Sequence, residues 1–310
     1  MVIAKSMKFK KIEGDASDRE FFRSKNSILI FSKKNKFKNL LVYDCINKIL
    51  NNHKIPSPKL LKNNYTKNSI EITDLGKISI KNILNNKNQY DFYKKIIDIL
   101  IKFTKIKNIK IKNFNGKYYS MKNYNYKDLY EETDLFNTWY APYYNKKLTK
   151  PNKRKMIRKI IKNLISKIKL SNNIFVHRDF HVSNMMYKNN KIYLIDSQDA
   201  VIGNPAYDLA SLIDDVRYKS SYLLKEKVYS YFLQKSKKID EKSFRNDFII
   251  LSVLRNLKIL GIFTRLAKRD KKKNYLKLIP YTWRLIKLRT NGNVIFDELI
   301  SCINNKSKKR

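Results

Sequence analysis

The chain of 310 residues is poor in glycine, proline and cysteine, with 6 Gly, 6 Pro and 2 Cys. So little Gly and Pro excludes collagen-like chains and low-complexity linkers. Two cysteines are too few for a disulfide framework, and their separation excludes a zinc site, so we expect Cys45 and Cys302 to be reduced. Neither a secretory leader nor an apolar run of about 18 residues is visible, and the expected location is therefore the cytoplasm, without a membrane partner.

Acidic residues are also scarce, since 26 Asp and Glu face 68 Lys and Arg and the formal net charge is +42. Such a charge would suit nucleic acid, because clustered cations release counterions when they meet phosphate. Here Lys is scattered over nearly every segment beside Asn and Ile, which indicates compositional drift and predicts no specific nucleic-acid partner. The denser runs, Lys268 to Lys273 and Lys306 to Arg310, are typical of a solvated loop and tail.

Aromatic residues are plentiful, with 16 Phe, 21 Tyr and 2 Trp, which excludes a disordered chain. The length slightly exceeds the roughly 250 to 300 residues at which one core stops growing, which predicts two lobes. Strand-like runs surround one helix, Lys38 to Asn51, in the first 80 residues, and helical spacing dominates from Gln89 onward. We predict an α+β fold of two lobes. The N-lobe, residues 1–75, contains a small antiparallel sheet, and the C-lobe, residues 76–310, is mainly helical. We also expect the protein to be a monomer. The predicted strands are Met7 to Ile12, Glu20 to Arg23, Ser27 to Phe31 and Ser69 to Thr73.

The most informative segment, Val176 to Asn184, reads VHRDFHVSN and precedes Asp196, which follows a short apolar run. Asp179 and Asn184 are five residues apart, as in the phosphotransferase loop H-R-D-x-x-x-x-N. Transfer of a γ-phosphoryl group needs a base for the acceptor hydroxyl and hard cations on the phosphates. We therefore predict ATP and Mg²⁺ as cofactors, Asp179 as the base, and Asn184 and Asp196 as oxygen ligands of the metal. The alternative is a polar turn held by a salt bridge.

Five further polar side chains flank these residues. His177 is predicted to hold the backbone by hydrogen bonds, and His181 faces either the acceptor or the loop surface. Gln198 and Asp199 either orient the metal and touch the acceptor or stiffen the loop, and we slightly favour stiffening. Asp208 opens a helix and is predicted to be structural, since a carboxylate there caps N–H groups.

A turn between the first two strand-like runs contains Gly14, Asp15, Ala16 and Ser17. Small residues let backbone N–H groups approach phosphate, so this turn predicts a hairpin that covers the nucleotide phosphates. Neither G-x-G-x-x-G nor a phosphate loop ending in G-K-[ST] occurs. The prediction therefore depends on the position of the turn, which precedes the catalytic loop in the sequence.

Together these motifs resemble the aminoglycoside phosphotransferase and choline kinase superfamily, which shares a two-lobed protein-kinase-like fold. Within it the chain is most similar to bacterial kinases that phosphorylate N-acetylmuramate and N-acetylglucosamine at C1. The resemblance covers roughly residues 8–290. The matching segments are Gly14 to Arg23, Asp74 to Gly76, His177 to Asn184 continuing to Asp196–Ala200 and Tyr207–Leu209, and Leu257 to Leu266.

The resemblance implies a kinase of peptidoglycan sugar salvage with a small amino-sugar substrate. It implies that a hinge contacts adenine, formed by Ile72, Thr73, Asp74 and Leu75. It also implies a segment beside the sugar, where a carboxylate binds hydroxyls and an aromatic face stacks on the ring, formed by Glu132, Phe136 and Trp139. A core aromatic is the alternative for Trp139.

Two rival functions stay open at this point. One is another acceptor within the superfamily: an aminoglycoside, choline or another amino alcohol. The other is a basic nucleic-acid- or membrane-associated protein on an inactive kinase scaffold, against which the intact Asp179, Asn184 and Asp196 argue. One departure from the kinase pattern is clear, because Ile28 to Phe31 lacks the phosphate-pairing Lys and Asp44 is the sole acid of the following helix. The usual Lys–Glu ion pair is therefore left unassigned.

Overall fold

The structure is a computed structural model that describes residues 9–12, 19–33, 38–107, 110–113, 115–236 and 239–304. It divides into two compact units, residues 1–122 with 174–202 and residues 123–173 with 203–310. These units are defined by where the chain is compact, which does not test the lobe boundary predicted after residue 75. That boundary stays a prediction. None of the described helices is long and apolar enough to cross a membrane.

The first unit contains a five-stranded antiparallel sheet in the order β1-β2-β3-β5-β4. Its register pairs Ile28 with Ile72 and Ile30 with Ile70, so apolar side chains share one face. That face packs with Leu40 and Tyr43 of the single helix, which buries the core of the sheet. The elements are β1 (Lys10–Ile12), β2 (Glu20–Arg23), β3 (Ser27–Phe31), α1 (Lys38–Asn52), β4 (Leu60–Asn64) and β5 (Ser69–Thr73). The predicted small sheet with one helix is confirmed.

The remainder of the first unit contains one short and one longer helix, of 4 and 15 residues, and three two-stranded sheets. The β9–β10 hairpin turns at Asn189 and Asn190, whose φ values of 50° and 57° lie in the left-handed region that Asn tolerates. Its other elements are α2 (Ile80–Ile83), α3 (Gln89–Phe103), β6 (Lys110–Lys112), β7 (Tyr118–Ser120), β8 (Ile174–Val176), β9 (Met185–Lys188), β10 (Lys191–Leu194) and β11 (Val201–Gly203).

The second unit is helical and is organised around α9 (Glu241–Lys268), which carries 28 residues. The helix that begins at Ile279 has Pro280 in its first turn, where the missing N–H of proline costs no hydrogen bond. The other elements are α4 (Tyr126–Thr133), a π-helix (Phe136–Tyr140), α5 (Ala141–Tyr144), α6 (Pro151–Ser166), α7 (Tyr207–Ile213), α8 (Tyr222–Lys235), α10 (Ile279–Thr290) and α11 (Asp297–Asn304). The predicted mainly helical part is confirmed.

The start of the π-helix lies directly on the backbone of α9. A Cβ added at Gly261 would lie 2.4 Å from the carbonyl carbon and oxygen of Leu135, the residue before Phe136. Contacts that short do not occur between real atoms, and backbone cannot swing away as a long side chain can. Gly261 therefore permits the close approach of these two helical segments, although glycine weakens a helix interior by about 1 kcal/mol.

We predict that Gly261→Ala lowers the free energy of unfolding by about 1–3 kcal/mol, the usual cost of overpacking a well-filled core. Urea denaturation followed by circular dichroism measures it. Arg245→Ala, at an exposed position of the same helix, is the control and should change stability little. A Gly261→Ala protein more stable than the wild type would show that the two segments separate without cost.

A buried ion cluster joins three helical segments of the second unit at Asp214. Arg289 Nε lies 2.8 Å from Asp214 Oδ2, and Lys225 Nζ lies 3.2 Å from Asp214 Oδ1. Ser252 Oγ also donates to Asp214 Oδ2 at 2.6 Å. Burial alone would raise the pKa of Asp214, but Lys225, Arg289 and Ser252 outweigh burial and lower it from 3.8 to about 2. The ionised carboxylate is thus the form that the fold stabilises.

Because its folded pKa is depressed, Asp214 stabilises the fold above pH 4, and this contribution is lost as the pH falls from about 4 towards 2. We predict that Asp214→Asn lowers the stability at pH 7 by about 2 kcal/mol or more, since it also leaves buried cations without their partner. The variant should lose less further stability than the wild type between pH 4 and 2. Urea melts at several pH values check this, and parallel pH profiles would contradict it.

Candidate active site

The β9–β10 hairpin brings two of the three predicted catalytic residues together. Leu194 pairs with Met185, and beyond that pair the Ile195 N–H donates to the Asn184 carbonyl oxygen at 3.1 Å. Asn184 therefore precedes the hairpin and Asp196 follows it at the same open end. A separation of 12 residues in sequence becomes a neighbouring position in space because antiparallel pairing returns the chain to its start.

Asp179 lies in the loop that connects buried β8 with this hairpin. Asn184 Nδ2 donates to the Asp179 carbonyl oxygen at 3.0 Å. Since only the amide nitrogen can donate, this bond identifies Asn184 Oδ1 as the atom turned to other partners. Arg178, beside Asp179, has a φ of 72°, a left-handed conformation that costs energy for a residue with a Cβ. The loop is thus held in a strained shape next to the predicted base.

His177 connects the loop to the strand that ends at Asp196. Its Nε2 lies 3.1 Å from the Ile195 carbonyl oxygen, and the side chain is buried. Burial lowers the pKa of His177, although the nearby Asp179 and Asp196 act in the opposite direction. A neutral ring that donates to a carbonyl matches the bracing role predicted for His177, which stays a prediction.

Asp196 is held by hydrogen bonds from two other side chains. Its Oδ1 accepts from Arg19 at 2.7 Å and from Gln198 Nε2 at 3.0 Å. The backbone of Asp196 has a φ of 62°, a second left-handed residue that is not glycine. Behind it, Ser197 Oγ donates to Asn47 Oδ1 of α1 at 2.8 Å, and both side chains are buried. Arg19 therefore holds the carboxylate itself, and α1 holds the next residue, Ser197.

Three more predicted site residues of the first unit lie near this carboxylate or its loop. Gln198 Nε2 also donates to Asp199 Oδ2 at 3.2 Å, and Arg178 donates to the Asp199 carbonyl oxygen at 3.2 Å. Such bonds are compatible with the loop-stiffening role that we favoured for both residues, which stays a prediction. His181 is buried, with 3% of its surface exposed.

The predicted hinge residues end β5 and follow it. Both Asp74 carboxylate oxygens face Arg23, with Nε 2.8 Å from Oδ2, and Oδ1 also accepts from Gly76 N at 2.8 Å. Lys188 Nζ donates to the Asp74 carbonyl oxygen at 2.8 Å. The Asp74 side chain is thus engaged inside the protein, and an adenine contact at Ile72 to Leu75 would use the backbone. The predicted phosphate turn, Gly14, Asp15, Ala16 and Ser17, lies outside the described residues.

A cavity of about 500 Å³ in the first unit is lined by Thr73, Asp74, Leu75, Lys188 and Tyr193 among others. Asp179, Asn184 and Asp196 are not among its lining residues. It therefore adjoins the predicted hinge and is separate from the predicted catalytic residues.

The predicted sugar-flanking residues belong to the second unit. Glu132 on α4 accepts from Lys258 Nζ at 2.7 Å and from the Tyr124 hydroxyl at 2.5 Å. Phe136 is fully buried and its ring stacks on Tyr140 at 5.3 Å. In this arrangement Phe136 is a core side chain, and its predicted contact with a sugar stays a prediction.

Two further predicted residues complete this unit. Trp139 lies on the π-helix and is partly exposed, and such helices occur often at functional sites. Asp208 is buried in the first turn of α7, where a negative charge faces the positive end of the helix. The helix is capped at Ala206, whose N–H donates to Asn204 Oδ1 at 2.9 Å.

The donor set fits a magnesium ion that is shared with a nucleotide. Within the described part of the chain, no group of three His, Cys, Asp or Glu side chains forms a protein-only metal site. Asn184 Oδ1 and the Asp196 carboxylate supply two hard oxygen donors, and Mg²⁺ commonly takes one or two protein ligands beside phosphates and water.

Sequence reasoning missed the contacts of Arg19 and α1 with this site. Arg19 was part of the matching segment but received no role, and Asn47 was not singled out. The sequence did contain a signal for these contacts. Strand β3 lacks the usual Lys and helix α1 lacks the usual Glu, so other groups have to orient Asp196.

Comparison with known proteins adds relatives and a fold. The family model described as "Phosphotransferase enzyme family" matches residues 8–229. The N-acetylmuramate/N-acetylglucosamine kinase of Caulobacter vibrioides is 33% identical over 115 residues, 36% of this chain and 32% of the relative. The Pseudomonas putida protein of that name is 24% identical over 277 residues, 86% of this chain and 78% of the relative. The match thus spans about a third of the first relative and most of the second.

A solved structure, the ADP-bound aminoglycoside phosphotransferase APH(2'')-Ib, has a TM-score of 0.60 and 17% identity, and covers 92% of this chain and 97% of its own. At this identity the likeness shows the kinase-like fold alone. Since the family model covers most of the chain, the chain belongs to the phosphotransferase enzyme family.

Proposed function

We propose that this kinase uses ATP and Mg²⁺ to phosphorylate the anomeric hydroxyl of N-acetylmuramate or N-acetylglucosamine, in the salvage of cell-wall sugars. The names of the relatives support this acceptor. The observation that carries the reaction type is the hairpin register, which sets Asn184 and Asp196 side by side next to the Asp179 loop.

In the proposed reaction the acceptor oxygen forms a bond to the γ-phosphorus, and the bond to the ADP oxygen breaks. Asp179 receives the proton of the hydroxyl, and a carboxylate of ordinary basicity suffices because the proton moves late. Asn184 and Asp196 would hold Mg²⁺, which neutralises charge on the phosphates when bound. The Arg178 and Asp196 backbones keep the carboxylates oriented before substrate arrives.

The charge distribution supports a sugar over a polycationic acceptor. An aminoglycoside would be repelled by a chain with a net charge of +42 unless acids of its site were available. In the second unit, Glu132, Asp134 and Asp214 are each paired with Lys or Arg. We propose substrate-binding roles for Glu132 and Trp139 of the second unit and for His181, Gln198 and Asp199 of the first.

A screen of acceptors tests the proposed substrate. We predict magnesium-dependent ATP consumption with N-acetylmuramate, N-acetylglucosamine or both, and none above background with choline or kanamycin. The matched control is 1,5-anhydro-N-acetylglucosamine, which lacks the anomeric hydroxyl and should not be phosphorylated. Turnover of kanamycin or choline alone, or of the anhydro sugar at the same rate, would contradict the proposal.

The proposed base is tested separately. We predict that Asp179→Asn lowers kcat by at least about 10²-fold, the scale of a positioned general base, while nucleotide affinity changes little. Asp91→Asn, on the exposed side of α3 and paired only with surface Lys94, is the control and should keep full activity. Undiminished turnover by Asp179→Asn would remove Asp179 from the mechanism.

A further inference from the structure

The kinase site of this chain lacks the two residues that usually orient phosphate and metal. In β3 the side chains from Ile28 to Phe31 are apolar, so no strand Lys is available there. On α1, Asp44 is 2.6 Å from Lys48 of its own helix and is therefore engaged locally. Another cation has to balance the nucleotide phosphates beside Asp196, because buried negative charges need a partner.

Arg19 is the cation that reaches this place. Its NH2 lies 2.7 Å from Asp196 Oδ1, and its NH1 donates to Gln198 Oε1 at 3.2 Å. Only 11% of the Arg19 side chain is exposed, in contrast to the scattered surface lysines. In sequence it follows the predicted phosphate turn, two residues after Ser17.

Two aromatic rings hold the guanidinium in position. Its central carbon lies 5.5 Å from the centre of the Phe21 ring and 5.6 Å from that of the Tyr43 ring. Such contacts stabilise a desolvated cation by about 1–2 kcal/mol and restrict its rotation. Burial raises the pKa of Tyr43 to about 12, so its phenol remains neutral at physiological pH.

The same helix fixes both partners of the ion pair. Tyr43 contacts Arg19, and Asn47, one turn later on α1, accepts a hydrogen bond from Ser197 beside Asp196. Residues four apart share one face of a helix, so one face of α1 orients the cation and the carboxylate together. This is the geometric task that a Lys–Glu pair performs in other kinases.

We propose that Arg19 replaces the missing strand lysine and binds the α- and β-phosphate oxygens of the nucleotide next to Asp196, an inference that rests on the proposed function. A guanidinium suits this role because its planar fork of donors serves a carboxylate and a phosphate at the same time. The competing role is a lock, in which Arg19 occupies Asp196 and keeps the metal out until it is displaced.

Nucleotide binding without catalysis distinguishes the two roles. ADP and adenosine are each titrated calorimetrically into wild type, Arg19→Gln and Arg19→Lys. Each titration is done once in EDTA and once with Mg²⁺. We expect Arg19→Gln to weaken ADP binding roughly 10- to 100-fold, the loss of a charge-assisted contact, in both conditions, and to leave adenosine binding unchanged. Arg19→Lys should recover part of the ADP affinity. Lys11→Gln, which removes an exposed cation paired with Glu20 on the same sheet, is the control.

Three results would overturn the inference. If folded Arg19→Gln binds ADP as well as wild type does, Arg19 does not contact phosphate. If Arg19→Gln binds ADP more tightly than wild type in the presence of Mg²⁺, Arg19 acts as the lock. If Arg19→Gln does not fold, Arg19→Met keeps the length of the side chain without its charge, and a folded Arg19→Met that binds ADP as well as wild type refutes the inference as well. Wild type that binds no ADP instead refutes the proposed function itself, before Arg19 is considered.

Discussion

The antiparallel register of β9 and β10 is the constraint on which the site depends. A shift by one residue would turn Asn184 or Asp196 to the opposite face and separate the two oxygen donors. The register is fixed by the Asn189–Asn190 turn, whose left-handed residues match the twist of a hairpin, and by burial of Met185 and Leu194. Strain at Asp196 itself, with a φ of 62°, persists because hydrogen bonds on both sides determine its position.

Helix α1 transmits this constraint to the sheet. Asn47 is held through its carbonyl oxygen by Ser57 Oγ at 3.0 Å, while its side chain accepts from Ser197. These are neutral hydrogen bonds between buried groups. They contribute to the stability of the fold chiefly because a buried donor left without a partner would cost free energy. Helix α1 is thus held against the segment beside Asp196 by neutral hydrogen bonds, without an ion pair.

The sequence was sufficient where the pattern is local. Short strand-like runs between turns predicted β3 and β5 with their bounds, and the spacing H-R-D-x-x-x-x-N predicted the catalytic loop, since the motif lies within one short segment of chain. The sequence could not show that Phe136 is buried or that a π-helix forms there, since both follow from the approach of α9 at Gly261, 125 residues away. Nor could it show the partner of Asp196, because the ion pair with Arg19 joins residues 177 apart in sequence. Contacts between distant segments are decided by packing, which no local pattern records.

The many Lys and Arg residues of the chain made it impossible to recognise from composition that Arg19 contacts the predicted site. Among 68 Lys and Arg, composition cannot distinguish Arg19, because an exposed lysine contributes little to either stability or binding. What separates Arg19 is its surroundings: a carboxylate at 2.7 Å, two aromatic rings and little contact with water. Removing water strengthens its interaction with any nearby anion, whether carboxylate or phosphate. A basic chain therefore needs no acidic macromolecular partner to be functional, and a single desolvated guanidinium can carry an electrostatic role that the net charge does not reveal.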